Sequence, residues 1–260
     1  MDQIMVATDL SDRSEQAVQR AVALASAFGA RLAVHSVIDS ALPNDIAKDV
    51  QAKAEKAIEA QVSRFRKSGD LNCEIVVEIG DAVEAISQHA RQSGADLLVL
   101  GVHRHRAFLD QMRETTMERL MRMCHLPVLL VKGPADDPYG HVLCGLDFSR
   151  ACASAIGKTR KIAPDARLSL FHAYETSFLE ESKLEFDTWR AVHGLRSDLP
   201  EPTYFEGSAA DAIDTIMIEQ NIDLLAIGRH TRTSLGQLFL GSVTAGLIRR
   251  PPCDILVTKG

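Results

Sequence analysis

Five short apolar runs alternate with longer amphipathic segments in the first half of this chain. The runs are rich in Val, Ile and Leu, show no alternation with polar residues, and lie at 4–8, 32–38, 73–78, 96–101 and 127–131. Continuous apolar runs of this length are typical of strands that are covered on both faces of a sheet. The pattern therefore predicts five buried strands.

The segments between these strands contain apolar residues at helical spacing. The first helix is indicated by apolar residues three and four positions apart, at Ala17, Val18, Ala21, Val22, Ala25 and Phe28. Ser11 or Ser14 is its candidate N-cap, and Gly29 is its candidate end. Further helices are predicted over about 44–68, 82–93 and 115–124. Strands that alternate with helices need crossover connections, so the expected fold class is α/β, an open five-stranded parallel sheet with helices on both faces.

The same plan occurs twice along the chain. Asp9-Leu-Ser11 recurs 138 residues later as Asp147-Phe-Ser149, and Asp96-Leu-Leu-Val-Leu-Gly101 recurs 127 residues later as Asp223-Leu-Leu-Ala-Ile-Gly228. A repeat of this length indicates two homologous domains. We expect tandem domains at 1–133 and 141–260, joined by a linker at 134–140 that contains two prolines and a glycine.

Composition restricts the classes of function. The 260 residues are 46% hydrophobic and 25% charged, which leaves room for two cores of ordinary size. A net charge of -6 gives no general attraction to nucleic acid or to an anionic membrane. No apolar run reaches the roughly 20 residues that span a bilayer, and the five scattered cysteines suggest reduced thiols. We therefore expect a cytoplasmic protein with neither nucleic acid nor membrane as a partner.

Ligands of open parallel sheets bind beyond the carboxyl ends of the strands. In the second copy this edge carries Asp147 after the first strand, His172 and Ala173 after the second, and the segment 228–242 after the fourth. A glycine-rich turn that starts a helix offers free N–H groups to an anion, and an aspartate accepts hydrogen bonds from ribose hydroxyls. This chemistry favours a nucleotide.

The segment after the fourth strand resembles the nucleotide motif of the universal stress protein family. That motif runs Gly, two residues, Gly, nine residues, Gly, then Ser or Thr, and here it reads Gly228-x2-Thr231-x9-Gly241-Ser242. The opening Asp147-Phe-Ser and the closing Cys253-Asp-Ile-Leu-Val also fit, and the two copies cover essentially the whole chain. The chain is similar to a tandem member of that family.

The resemblance implies that the second copy binds ATP, or another adenine nucleotide, together with Mg²⁺. It assigns Asp147 to the ribose and adenine, the backbone of Ala173 to the adenine, and Gly228 to the ribose-phosphate edge. The phosphates would lie at Gly241, Ser242 and Val243, with His230 and Thr231 beside them.

Two residues depart from the family pattern. Thr231 replaces the second glycine, and Asp254 replaces a proline that is common in the last strand. If the backbone at Thr231 needs a positive φ, its β-branched side chain costs on the order of 1 to 3 kcal/mol. If φ is negative, its hydroxyl is free to donate to a phosphate, and the sequence leaves both alternatives open.

The first copy has lost most of this motif. Gly101-Val-His-Arg104 is followed after nine residues by Glu114 and Thr115, so both later glycines are absent. Glu114 would set a carboxylate where a phosphate needs to lie, and Thr115 with Glu118 forms a capping box that uses the free N–H groups. We therefore expect nucleotide binding in the second copy alone.

Other chemistry in the first copy has weaker support. His103 and His105 could face one cation, with His35 or Cys124 and His125 as further ligands, but no recognised zinc spacing is present, so no metal site is assigned. The basic cluster Arg104, His105, Arg106 and Arg113 could hold another anion, although such runs are usually solvated.

No nucleophile, base and acid occur at a recognised catalytic spacing, so no catalytic residue is assigned. The expected function is a stress-response binding module. The alternatives are a weak Mg²⁺-dependent ATPase and a scaffold or metal- and anion-binding stress protein. By resemblance, the last strands of the two domains, 128–131 and 255–258, would pair as an internal pseudo-dimer, and a homodimer is a further possible assembly.

Overall fold

The computed structural model describes residues 1–66, 70–102, 116–134, 137–175, 177–229, 232–234, 237–239 and 242–260. The chain divides into two compact units, Met1–Asp137 and Pro138–Gly260. Pro138, Tyr139 and Gly140, which the sequence assigns to the linker, therefore belong to the second unit.

The first unit alternates strands and helices as the apolar runs predict. Its strands are β1 (Gln3–Ala7), β2 (Arg31–Asp39), β3 (Cys73–Gly80), β4 (Leu97–Gly101) and β5 (Val128–Val131). Its helices are α1 (Asp12–Phe28), α2 (Asn44–Phe65), α3 (Ala82–Gln92) and α4 (Thr116–Met123). The strands pair in parallel in the order β3-β2-β1-β4-β5. The predicted class, an open parallel sheet with crossover helices, is confirmed.

The second unit repeats this order. Its sheet strands are β6 (His141–Leu146), β7 (Arg167–Tyr174), β8 (Thr203–Glu206), β9 (Leu224–Arg229) and β12 (Asp254–Lys259). Its helices are α5 (Arg150–Ile162), α6 (Leu179–Val192), α7 (Ala209–Glu219) and α8 (Ser242–Arg249). The parallel strand order is β12-β9-β6-β7-β8. A short antiparallel hairpin, β10 (Arg232–Ser234) with β11 (Gln237–Phe239), lies where the sequence predicts no strand.

The helix ends follow local rules that the sequence contains. Ser11 is the N-cap of α1, where its side chain accepts a hydrogen bond from the Ser14 N–H, so the first of the two candidate caps is confirmed. Gly29 ends the helix with φ 60°, a left-handed conformation that glycine adopts without strain. Ser149 caps α5 in the same way, by accepting from the Cys152 N–H.

The aspartate that opens each repeated Asp-Leu-Leu motif has a structural role. Asp96 Oδ2 accepts a hydrogen bond from the Asp2 N–H at 2.6 Å, just before β1. Asp223 Oδ2 accepts from the Gly140 and His141 N–H groups at 2.8 and 2.9 Å, where β6 begins. Each carboxylate therefore satisfies backbone donors at the amino end of the neighbouring central strand, which accounts for its recurrence.

Asp254, the residue found in place of a proline, is buried and paired. It begins β12, is 6% exposed, and accepts a hydrogen bond from the hydroxyl of the buried Tyr139 at 2.7 Å. The carboxylate therefore ties the start of the last strand to the segment that precedes β6. A proline there would lack this acceptor.

A buried histidine of the first unit stacks on a second, partly buried one. His35 on β2 is fully buried, its Nε2 lies 2.7 Å from Glu78 Oε1 on β3, and its ring stacks on His89 of α3 with centroids 4.8 Å apart. Burial, together with the charge that His89 would carry, lowers the pKa of His35, and Glu78 opposes that shift only in part. His35 is therefore held as a neutral imidazole by its surroundings.

Acidic pH should destabilise the first unit through the pair formed by His35 and His89. The unfolded chain takes up a proton on His35 near pH 6.5, whereas the folded unit takes it up only at lower pH, so stability falls as the pH drops below that value. We expect faster deuterium exchange, after correction for the intrinsic pH effect, in β2 and α3. His35→Leu should remove this component, and replacement of the exposed His125 by Leu should not. An unchanged pH profile in His35→Leu would contradict the assignment.

Candidate functional site

The repeated Asp-x-Ser segment forms the same strained turn in both units. Leu10 and Phe148, the central residues, have φ values of 61° and 55°. Bulky residues rarely adopt a positive φ, and such strain persists only where surrounding contacts fix it. The turn sets Asp9 after β1 and Asp147 after β6, and both aspartates are exposed.

Each aspartate also holds its own turn. Asp9 Oδ1 accepts hydrogen bonds from the Ser11 N–H at 3.0 Å and the Ser11 hydroxyl at 2.5 Å. Asp147 Oδ1 accepts from the Ser149 N–H at 3.1 Å. One carboxylate oxygen therefore stabilises the entry into α1 or α5, and the exposed carboxylate also faces the edge where ligands of such sheets bind.

Aromatic packing fixes the turn of the second unit. The Phe148 ring stacks on His172 with centroids 4.3 Å apart and lies 5.9 Å from Trp189. The Trp189 Nε1–H donates to the Ser149 carbonyl at 2.9 Å, and His172 Nδ1 lies 2.9 Å from the Leu146 carbonyl. His172 therefore supports the turn, whereas Ala173, the next residue, pairs with Phe205 of β8.

Asp147 has a thiol neighbour that Asp9 lacks. The Cys152 thiol donates to Asp147 Oδ1 at 2.6 Å, and the corresponding residue of the first unit is Ser14. Burial and the adjacent Asp147 carboxylate raise the pKa of Cys152 to about 12. Cys152 is thus a neutral hydrogen-bond donor at this position and not a thiolate nucleophile.

The glycine that ends each repeated motif is required by packing within its own unit. A Cβ on Gly101 would lie 2.5 Å from the carbonyl oxygen of Arg13, and one on Gly228 would lie 2.7 Å from the backbone carbonyl carbon of Ala151. The close approach is therefore made by the first turn of α1 or α5. The sequence interpretation, in which Gly228 lets a ligand approach, stays a prediction beside this structural reason.

Part of the predicted phosphate site lies among the described residues. Helix α8 begins at Ser242, and Val243 is 39% exposed in its first turn. His230, Thr231 and Gly241 lie outside the described residues, and so do the first-copy residues His103, Arg104, His105, Arg106, Arg113, Glu114 and Thr115. Within the described ranges no group of three His, Cys, Asp or Glu side chains is placed to hold a metal ion.

Sequence reasoning missed a cavity in the first unit. The cavity has a volume of about 340 Å³ and lies at the carboxyl ends of β1 and β4, where the second unit has its predicted site. Its polar lining residues include Asp9, Ser11 and Arg13, and its apolar lining residues include Val37 and Ile86. A residue-by-residue comparison of the copies would have revealed Arg13, because its counterpart in the second copy is Ala151.

The model of the universal stress protein family matches residues 1–132 and 198–259. The chain belongs to the universal stress protein family. The match leaves out residues 133–197, which carry the Asp147 turn and its aromatic packing, yet this part repeats the order of elements of the first unit.

Relatives of known sequence or structure agree with this membership. The chain is 30% identical over 120 residues to a universal stress protein of Thermus aquaticus, a match that covers 41% of this chain and 88% of the relative. A universal stress protein structure from Archaeoglobus fulgidus superposes with a TM-score of 0.78 at 18% identity, covering 99% of this chain and 98% of that one. A structure of a universal stress protein from Pseudomonas aeruginosa gives 0.68 at 19% identity, covering 100% and 93%. At these identities the structures establish the shared fold.

Neither unit contains a helix that could cross a membrane, as far as the described residues extend. The five cysteines, which all lie among the described residues, form no disulfide, and Cys124, Cys144 and Cys152 are buried.

Proposed function

We propose that this member of the universal stress protein family binds an adenine nucleotide, ATP with Mg²⁺, in its second unit. The observation that carries the proposal is the exposed Asp147 at the point where the strand order reverses. Strand β6 has β9 on one side and β7 on the other, and their connections run in opposite directions, which is where open α/β sheets bind ligands.

The described residues fit such a ligand. Asp147 offers a carboxylate to ribose hydroxyls, and the strained turn holds it in position. Ser242 and Val243 lie at the start of α8, where free backbone N–H groups and the helix dipole favour phosphate oxygens. Mg²⁺ would neutralise charge on the phosphates, whereas the protein would supply orientation. The resemblance to the family completes the proposed set with Ala173, Gly228, His230, Thr231 and Gly241.

Calorimetric titration with ATP and Mg²⁺ tests the proposal. We expect about one site per chain, loss of binding in Asp147→Ala, and retained binding in Asp9→Ala. If binding were lost in Asp9→Ala but kept in Asp147→Ala, the nucleotide would bind in the first unit, and the assignment would be refuted.

The matched control for Asp147→Ala is Ser149→Ala. This variant removes the side-chain acceptor that caps α5 and should cost about 1 kcal/mol of stability, but it leaves the Asp147 carboxylate in place. Its ATP affinity should therefore equal that of the unaltered protein. Loss of binding in both variants would mean that the turn, and not the carboxylate, is what the measurement detects.

The internal pairing of the last strands and any homodimer stay predictions. A weak ATPase activity is a further alternative, and the measurement that separates it from plain binding is release of ADP during incubation of the protein with ATP and Mg²⁺.

A further inference from the structure

The cavity of the first unit is lined by apolar residues, here called its wall, and by polar and charged residues, here called its rim. Among the described residues, the wall consists of Ala7, Val37, Ala82, Ile86, Leu100, Met117 and Leu120, and the rim contains Thr8, Asp9, Ser11, Arg13 and Ser14. Its volume of about 340 Å³ lies at the lower end of the roughly 300 to 1,000 Å³ found for small-molecule sites. The space therefore suits a small metabolite with an apolar portion.

The hydroxyl groups at the rim are already engaged. Thr8 Oγ1 donates to Ser14 Oγ at 2.9 Å, Ser14 Oγ donates to the Ser11 carbonyl at 2.9 Å, and Ser11 Oγ donates to Asp9. Burial raises the pKa of Asp9, but hydrogen bonds to its carboxylate, above all those from Ser11, outweigh burial and hold that pKa below its ordinary value. The rim thus offers an ionised carboxylate, and these hydroxyls have no further proton to donate.

Arg13 supplies the opposite charge. It is the second residue of α1, and a cation is disfavoured at a helix N-terminus. No side chain in the described part of the chain forms an ion pair with it, and none forms one with Asp9. The corresponding position of the second unit is Ala151, so the fold itself does not require a cation there. Arg13 therefore brings an unfavourable positive charge to the start of α1, beside the cavity, and no ion pair among the described residues compensates for it.

We propose that the cavity of the first unit binds an apolar α-amino acid, with its ammonium group at Asp9, its carboxylate at Arg13 and its side chain against Val37 and Ile86. A carboxylate and a guanidinium at the rim match the two charges of such a zwitterion, and the apolar wall matches its side chain. This inference does not depend on nucleotide binding by the second unit.

The test is calorimetric titration of the full chain with L-leucine and two analogues. The analogue 3-methylbutylamine lacks the carboxylate, and 4-methylpentanoate lacks the ammonium group. Leucine should bind at one site, and each analogue should bind at least about tenfold more weakly, which corresponds to loss of one charge-assisted hydrogen bond. No leucine binding, or equal binding of all three compounds, would overturn the proposal.

Two conservative variants assign the charges. Arg13→Gln should lower the affinity for leucine to that for 3-methylbutylamine and leave the amine unaffected. Asp9→Asn keeps the acceptor for Ser11. This variant should lower the affinity for leucine to the affinity that the unaltered protein has for 4-methylpentanoate. Arg150→Gln, in the first turn of α5, is the matched control and should change neither affinity.

The remaining outcome of the test is that a nucleotide competes with leucine for the cavity of the first unit. In the Asp147→Ala variant, AMP or ATP should not displace leucine. If either does, the first unit holds a nucleotide pocket and the amino acid proposal is wrong. Failure of leucine binding with intact ATP binding would refute this inference alone, whereas loss of ATP binding with intact leucine binding would refute only the function proposed for the second unit.

Discussion

Gly228→Ala should destabilise the second unit by about 3 kcal/mol, at the upper end of the usual cost of overpacking. The added Cβ would lie 2.7 Å from both the Ala151 carbonyl carbon and the Cys152 nitrogen. Both atoms are backbone in the first turn of α5, so no side chain can rotate away and the helix itself must shift. The free energy of unfolding can be followed by the fluorescence of Trp189, because it is the sole tryptophan of the chain and lies in this unit.

The control for this variant is another glycine of the same unit. Gly157 lies within α5 and has no atom within 4 Å of an added Cβ, so Gly157→Ala should stabilise the unit by about 0.5 to 1 kcal/mol. A fall in the free energy of unfolding for Gly228→Ala and a rise for Gly157→Ala would separate the steric effect of the added Cβ from its effect on backbone conformation. Weakened ATP binding in a Gly228→Ala protein of unchanged stability would show instead that Gly228 serves the ligand and not the helix.

Tyr139→Phe should cost the second unit about 2 kcal/mol, the middle of the range for a hydrogen bond to a charged group. Its hydroxyl donates to the buried carboxylate of Asp254 at 2.7 Å, and removing it leaves that carboxylate with one donor fewer. Burial makes the loss larger than at the surface, because water cannot replace the donor. Urea unfolding followed by Trp189 fluorescence measures the change.

Tyr204→Phe is the matched control. The Tyr204 hydroxyl is buried, and among the described residues it has no hydrogen-bond partner, so its removal should be neutral or slightly stabilising. Equal losses in the two variants would mean that the Tyr139 hydroxyl contributes only packing. In that case Asp254 would have no demonstrated reason to replace the proline.

The two copies have diverged around one shared turn. Both keep the aspartate, the residue of positive φ and the capping serine, because each unit needs the same entry into its first crossover helix. They differ in what lies next to the aspartate, since Arg13 and Ser14 of the first unit correspond to Ala151 and Cys152 of the second. The different ligands that we propose for the two units therefore rest on more than the shared aspartate.

The sequence by itself determined the class of fold and the order of elements in both units. Apolar runs of five to seven residues became strands because backbone groups in a covered segment must pair within a sheet. Four of these strands are largely buried, whereas the edge strand β3 is mostly only partly buried, contrary to the prediction. Ser11 and Gly29 bounded the first helix because capping and left-handed backbone are properties of single residues and their nearest neighbours. The internal repeat by itself predicts two such units.

Only the tertiary structure decided which recurring residues are held by packing within the fold and which stay exposed at the edge of the sheet. Gly228 and Asp223 recur because a helix turn and a strand start lie against them, and these neighbours are about 75 to 85 residues away in sequence. The cavity beside Asp9 and Arg13 was not predicted, since its wall joins β2, α3 and α4, which periodicity treats separately. Sequence patterns record the conformational preferences of neighbouring residues, whereas close approach and enclosed space depend on which distant segments pack together.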